Sequence, residues 1–281
     1  MEDQVAGEQA MGLWRSYAGG VAWLSLAMGT LGPALFGLGL VAAGLGWVPA
    51  WAVAPVQLAI AYTIFIAMHD ATHGSVGGGR QAAWLDELVG WLVAGVFLSA
   101  YPFFRWSHLQ HHSHVNHPDK DPDRWVAGAA LWRVVLRCIS VIPGYYLRLA
   151  RADRSRASVR QVQRQSLLGL LPVLALAGAY GAWAGWGTLL LVWVLPAIGA
   201  SALLGYIFDY LPHRPHESQA RFDSASFAPR TYRDSGLFYL LTLGQTHHPV
   251  HHLFPRVPWF RYRSLYLRIS DELSARGVPN A

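Results

Sequence analysis

The chain has 281 residues, 53% of them apolar and only 14% charged, with 13 Trp, a composition that excludes an ordinary soluble domain. Its net charge of +6 comes from 21 Arg and one Lys, and with so little charge overall no nucleic-acid partner is expected. Cys138 stands alone, so no intrachain disulfide can form and thiolate cannot dominate a metal site.

Residues 1–15 read as an N-terminal arm. Glu2, Asp3 and Glu8 spoil the basic start of a cleavable signal, so the apolar run that follows is expected to stay as the first span. From Ser16 to Met68 there is no Asp, Glu, Lys or Arg for 53 residues, and from Gln165 to Phe208 none for 44. A bilayer-spanning helix needs about 20 apolar residues, so each run accommodates two spans and a tight turn. The turns are read at Gly46–Ala50 and Gly181–Gly187, rich in the Gly, Pro and Trp that suit a membrane edge. Both lack Lys and Arg, so all 22 basic residues lie on the other side of the membrane. Under the positive-inside rule that side, with both termini, is cytoplasmic.

Between the hairpins lies the stretch 69–164. Its apolar part, 84–104, could almost cross, but crossing once would strand the histidines after it on the wrong face. It is therefore expected to dip in and return. Eight arginines between 132 and 164 read as an ordinary solvated connector. Residues 209–281 complete a cytoplasmic histidine-rich cap. The fold class expected is all-α integral membrane, with four transmembrane helices in two hairpins plus interfacial helices, forming one domain over 1–281.

All 13 histidines fall in four short stretches, each beside a long apolar segment. In His69-x-x-x-His73 two imidazoles stack on one face of a helix end. His108-x-x-His111-His112 and His248-x-x-His251-His252 each put an outer pair on one face, with the additional ring about 100° round the helix. Eight imidazoles are too many for one ion, and two ions sharing about eight to ten ligands fit better. A site of neutral imidazoles suits a redox-active divalent metal such as iron, working on O₂, better than hydrolysis by zinc-bound hydroxide. His213, directly after the last span, is placed near the same site. His114, His117, His216 and His247 read as solvated or supporting neighbours. Asp70, Asp121, Asp123 and Asp209 are candidates to accept the free N–H of a ligating imidazole, and Asn116 is a candidate weak oxygen donor.

The boxes in this order, with these apolar spacers, resemble the membrane fatty acid desaturase/hydroxylase superfamily of non-haem di-iron enzymes. The resemblance covers roughly 60–265. Within it, His108-Leu-Gln-His-His, Asn116, Asp121-Pro-Asp123, Phe208-Asp-Tyr-Leu-Pro-His213-Arg-Pro and Pro255–Tyr262 are similar to desaturase-like β-carotene ring hydroxylases; Ser107 is a small departure. Carotenoid ketolases share His69-Asp-Ala and His73-Gly-Ser-Val76, as well as the Leu-Pro-His-Arg-Pro element.

The resemblance implies iron ligands at His69, His73, His108, His111, His112, His213, His248, His251 and His252, and two Fe with O₂ as co-substrate. It also implies a membrane-dissolved substrate, with β-carotene 3-hydroxylation toward zeaxanthin as the leading expectation. An acyl-lipid desaturase and a carotenoid 4-ketolase are the alternatives. Without a flavin fingerprint or haem domain, a separate electron donor of ferredoxin-like kind is implied, and an acidic one would suit the arginines. A non-enzymatic metal transporter would need ligands inside the spans, and neither hairpin holds a histidine.

Overall fold

Two helical hairpins carry the apolar runs. In the computed structural model, α1 (Trp23–Gly44) pairs with α2 (Ala50–Thr72), while α7 (Ala157–Ala184) pairs with α8 (Trp186–Tyr210). The structure describes residues 10–128 and 130–281, so residues 1–9 of the expected arm, with Glu2, Asp3 and Glu8, lie outside the described residues. All four helices are long and apolar enough to cross a bilayer, and no strand occurs among the described residues. Trp47, Trp51 and Trp186 stand exposed at the hairpin tips and Trp23 and Trp84 at the opposite end, as interface-seeking rings should. Close approach of α1 depends on missing side chains. A Cβ on Gly29 would sit 2.4 Å from Val89, and one on Gly32 2.2 Å from Ile64.

The awkward segment is sharply bent. It forms α3 (Ala83–Val96) and α4 (Tyr101–Ser113), and the Arg80–Val96 and Tyr101–Ser113 pieces are bent by 102°. Backbone groups at the bend are satisfied by side chains in place of water: Trp193 Nε1 donates to the Val96 carbonyl (3.0 Å), and the Ala100 N–H donates to Tyr146 Oη (3.3 Å). A Cβ on Gly90 would meet the Tyr101 ring at 2.3 Å, so glycine there lets α4 fold back against α3. This return brings the second box to the end of α2 that carries the first.

Two expectations need correction. The arginine-rich stretch is no plain connector: it forms α5 (Leu131–Ile139) and α6 (Val141–Arg151). On α5, Val134 and Cys138 are buried while Leu131, Trp132, Val135, Leu136 and Ile139 are exposed among its arginines, as in an interfacial helix. The second hairpin also begins earlier than Gln165. α7 starts at Ala157, so Arg160 and Arg164 lie on its first two turns. Beyond α8 come α9 (Gly236–Leu241), α10 (His248–Leu253) and α11 (Tyr262–Ala275), which close over the ends of α2 and α4.

Candidate metal centre

Four chain segments deliver nine imidazoles to one place. His69 lies in the last turn of α2 and His73 caps it; His108, His111 and His112 occupy the last turns of α4. His213 follows α8 directly, and His248, His251 and His252 lie on α10. Ligand nitrogens of His69, His73, His108 and His251 all lie within 4.8 Å of one another, and so do those of His111, His213, His248 and His252. Each group therefore crosses the box boundaries. The middle ring of each triplet, 100° round its helix from the outer pair, serves the other group: His111 joins His248 and His252, and His251 joins His108. His112 sits between them, with Nε2 2.8 Å from His251 Nε2 and its ring stacked on His252 at 4.5 Å.

The hydrogen-bond pattern tests whether these residues suit a metal. His111 Nδ1 is 2.9 Å from Asp121 Oδ1, His213 Nδ1 is 2.9 Å from the Ser224 carbonyl, and His248 Nδ1 meets Gln245 Oε1. Those oxygens can only accept, so each Nδ1 carries a hydrogen, and in the neutral rings of His213 and His248 Nε2 presents a bare lone pair. Yet His213 Nε2 and His248 Nε2 face each other at 2.8 Å. Lone pairs at such a separation repel unless a cation lies among them. In the other group both nitrogens of His69 are buried without a partner among the described residues. The donor set fits two divalent ions.

Electrostatics agree. Burial pushes His248, His251 and His252 well below the usual imidazole range and His213 down to about 3, which keeps these rings neutral. His111 differs: burial works against its charge, but Asp123 and Asp121 outweigh it and lift the ring to about 9. The same carboxylates make its Nε2 a stronger donor to a metal.

Asp121 and Asp123 are where the sequence places them, both against His111 Nδ1, at 2.9 and 3.1 Å. The other three supporting candidates are corrected. Asp70 touches no imidazole; it accepts from Ser25 Oγ (2.6 Å) and from the Trp259 N–H (3.3 Å), tying α1 and the C-terminal segment to α2. Asn116 acts through its amide nitrogen, which donates to the Ser218 and Ser224 carbonyls and so fixes the carbonyl that holds His213, while its Oδ1 is buried without a partner among the described residues. Asp209 reaches His111 only indirectly, through Tyr145, whose Oη lies 2.9 Å from Asp209 and 2.6 Å from Asp123.

His216 and His247 are buried, and are pushed down to about 4 and about 3 chiefly by that burial. His114 and His117 lie half-buried beyond the end of α4. Sequence reasoning missed Tyr145, Gln245, Ser224 and Tyr262, the last with Oη 3.0 Å from His251 Nδ1. Gln245, three residues before His248, and Tyr262, the last residue of the Pro255–Tyr262 element, had a signal.

Against the histidines lies a cavity of about 70 Å³, walled by Phe65, Phe97, Phe104 and Phe208. It touches two rings of each group, His69 and His108 from one, His111 and His248 from the other. A π-helical stretch, Gly205–Tyr210, brings Gly205, Phe208 and Asp209 of α8 to its wall. The arrangement can hold the end of an apolar molecule beside both groups at once.

A family model described as fatty acid desaturase matches residues 45–279. Over 212 residues the chain is 34% identical to a beta-carotene ketolase of Paracoccus sp. strain N81106, covering 72% of each chain. A second beta-carotene ketolase, from Paracoccus sp. strain PC1, is 32% identical over 202 residues, 70% of this chain and 71% of that one. The dihydrorhizobitoxine desaturase of Bradyrhizobium elkanii is 23% identical over 235 residues, 72% of this chain and 63% of that one. With most of its length matched in this way, the chain belongs to the fatty acid desaturase family.

Proposed function

We propose that this O₂-dependent oxidoreductase is a membrane di-iron oxygenase acting on a ring carbon of a carotenoid. The observation that carries the reading is the identity above 30% to two carotenoid ketolases over some seven-tenths of each chain. Two iron ions, when bound, supply O₂-dependent oxidation of an unactivated C–H bond. The chain's own contribution is positional. His69, His73, His108 and His251 would hold one ion, His111, His213, His248 and His252 the other, with His112 between them. The phenylalanine walls exclude water and admit an apolar end to the face shared by both groups.

Two ring products follow from this chemistry. The Pro-Trp-Phe-Arg-Tyr element favours the 3-hydroxy ring, and the relatives' names favour a ketone. Expression in a host that accumulates β-carotene, followed by chromatography of its pigments, separates them. Hydroxylated or ketonic carotenoid is expected. Unchanged pigment together with increased lipid unsaturation would replace this reading with an acyl-lipid desaturase, which the family description supports.

The histidines and both termini are assigned to the cytoplasmic side. Neither hairpin tip has a basic residue, whereas Arg148, Arg151 and Arg156 cluster at the other end. An impermeant thiol reagent should label Trp47→Cys in intact cells and leave Arg156→Cys unlabelled; the opposite pattern inverts the topology.

Electrons are assigned to a separate, acidic, ferredoxin-like donor. A groove of about 620 Å³ opens between Trp106 and Gln110 on α4, with His114 just beyond it, and the basic side chains Lys120, Arg148, Arg151 and Arg156, with Asp119 and Asp153 also in its lining. The other face of α4 carries His108, His111 and His112, so the groove lies about one helix diameter, ~10 Å, from the candidate metal groups. Turnover driven by such a donor should slow steeply with salt, and the double variant R148E/R151E should weaken the dependence. A rate insensitive to both would place the donor elsewhere.

A further inference from the structure

Within the region expected to be a cytoplasmic cap, α9 has the surface of a membrane element. Leu237, Phe238, Leu240 and Leu241 are all exposed, and Leu237 and Leu240 each leave over 60% of their surface uncovered. In water that patch would be a liability. Its backbone is finished without water as well. The Phe238 carbonyl accepts from the Thr242 N–H and from Thr242 Oγ1, the Tyr239 carbonyl from the Gly244 N–H, and the Leu240 carbonyl from the Leu243 N–H.

The Leu241 carbonyl accepts from Tyr62 Oη at 2.6 Å. The last-turn carbonyls of a helix are met by a capping turn, by side chains or by water. Here each is met from within the protein, as hydrocarbon surroundings require. Tyr62 also fixes the depth. It precedes His69 by seven residues on α2, so α9 ends about 10 Å farther into the membrane than the first metal group.

We infer that α9 is a re-entrant helix embedded in the bilayer, and that acyl chains of membrane lipid occupy the groove beside it. That groove, about 520 Å³, is walled by Phe238 of α9 and the following Thr242 on one side and by Ile207 of α8 and the following Leu211 on the other. Exposed Leu203 and Leu211 make it continuous with the lipid-facing surface of a span. At its inner end lies Gln245, the residue that orients His248, so the membrane-dipped segment also sets the ligand helix α10.

The test uses the full-length protein in phosphatidylcholine vesicles, with nitroxide labels at Leu237→Cys and Leu240→Cys. Cys138, being buried, is a silent background. Collision with O₂ relative to a water-soluble nickel chelate should match a label at Leu174→Cys on α7, which faces lipid. A ratio like that at Arg230→Cys, on the polar surface, overturns the inference. Should the variants fail to fold, the wild-type protein is labelled with a membrane-partitioned carbene precursor and mapped by peptide. Adducts within 236–241 support the inference, and their absence while α7 is labelled refutes it.

Discussion

His248→Ala and His69→Ala should each reduce bound iron from about two ions per chain to about one, and turnover by well over ~100-fold. Loss of an outer hydrogen-bond partner of a ligand already costs about 10–100-fold in affinity or activity, and these variants remove the ligand itself. The two are expected to differ in which ion they lose, because His248 belongs with His111, His213 and His252, and His69 with His73, His108 and His251. His112→Ala should loosen both groups together, since its Nε2 is 3.1 Å from His108 Nε2 while its ring stacks on His252. His114→Ala serves as the control. Its Nδ1 is 3.2 Å from the Gln110 carbonyl, away from either group, so both ions should stay. Metal analysis of purified protein decides the matter. Full iron content in His248→Ala would end the two-group assignment.

The hairpins were legible because the absence of charge over 53 and 44 residues is a signal along the chain itself. So was the bend within 84–104, since ligands meant for one centre cannot lie on opposite faces of a membrane. The grouping of the histidines was not legible. Spacing says that His108 and His112 share a face, but only the placement of α4 against α10 shows that His111 turns to the second group. Asp121 and Asp123 could be proposed because they follow His111 closely in a tight turn, whereas Tyr145 and Ser224 reach the centre from distant segments through single contacts. Asp70 misled for the opposite reason. Next to His69 in sequence, it lies on a different face of α2 and serves Ser25 and Trp259. The apolar stretch of α9, six residues long, falls far below the length at which hydropathy identifies a membrane element.

Asp121→Asn and Asp121→Ala should weaken the second ion selectively, by about 10-fold and toward 100-fold, leaving the first group loaded. The His111 Nδ1–H donates into a buried acidic pair, and that negative charge is what strengthens its Nε2 as a ligand. Asparagine keeps an oxygen for His111 and the Asp123 N–H and removes the charge, at the cost of the acceptor for the Asn116 N–H, so it reads the electrostatic part with one hydrogen bond lost. Alanine strips the partner from both the Asn116 N–H at 2.7 Å and the Asp123 N–H at 2.9 Å. Each stranded donor costs about 1–3 kcal/mol, so the turn that carries both should loosen as well. Asp70→Ala provides the contrast: it strands the Ser25 hydroxyl and the Trp259 N–H, so it should lower the unfolding temperature at unchanged metal affinity. Competition for iron against a chelator, with thermal unfolding measured in parallel, separates the two. If Asp121→Asn binds both ions as tightly as the parent chain, the pair does not tune His111. Its role would then be confined to shaping the loop that joins α4 to α5.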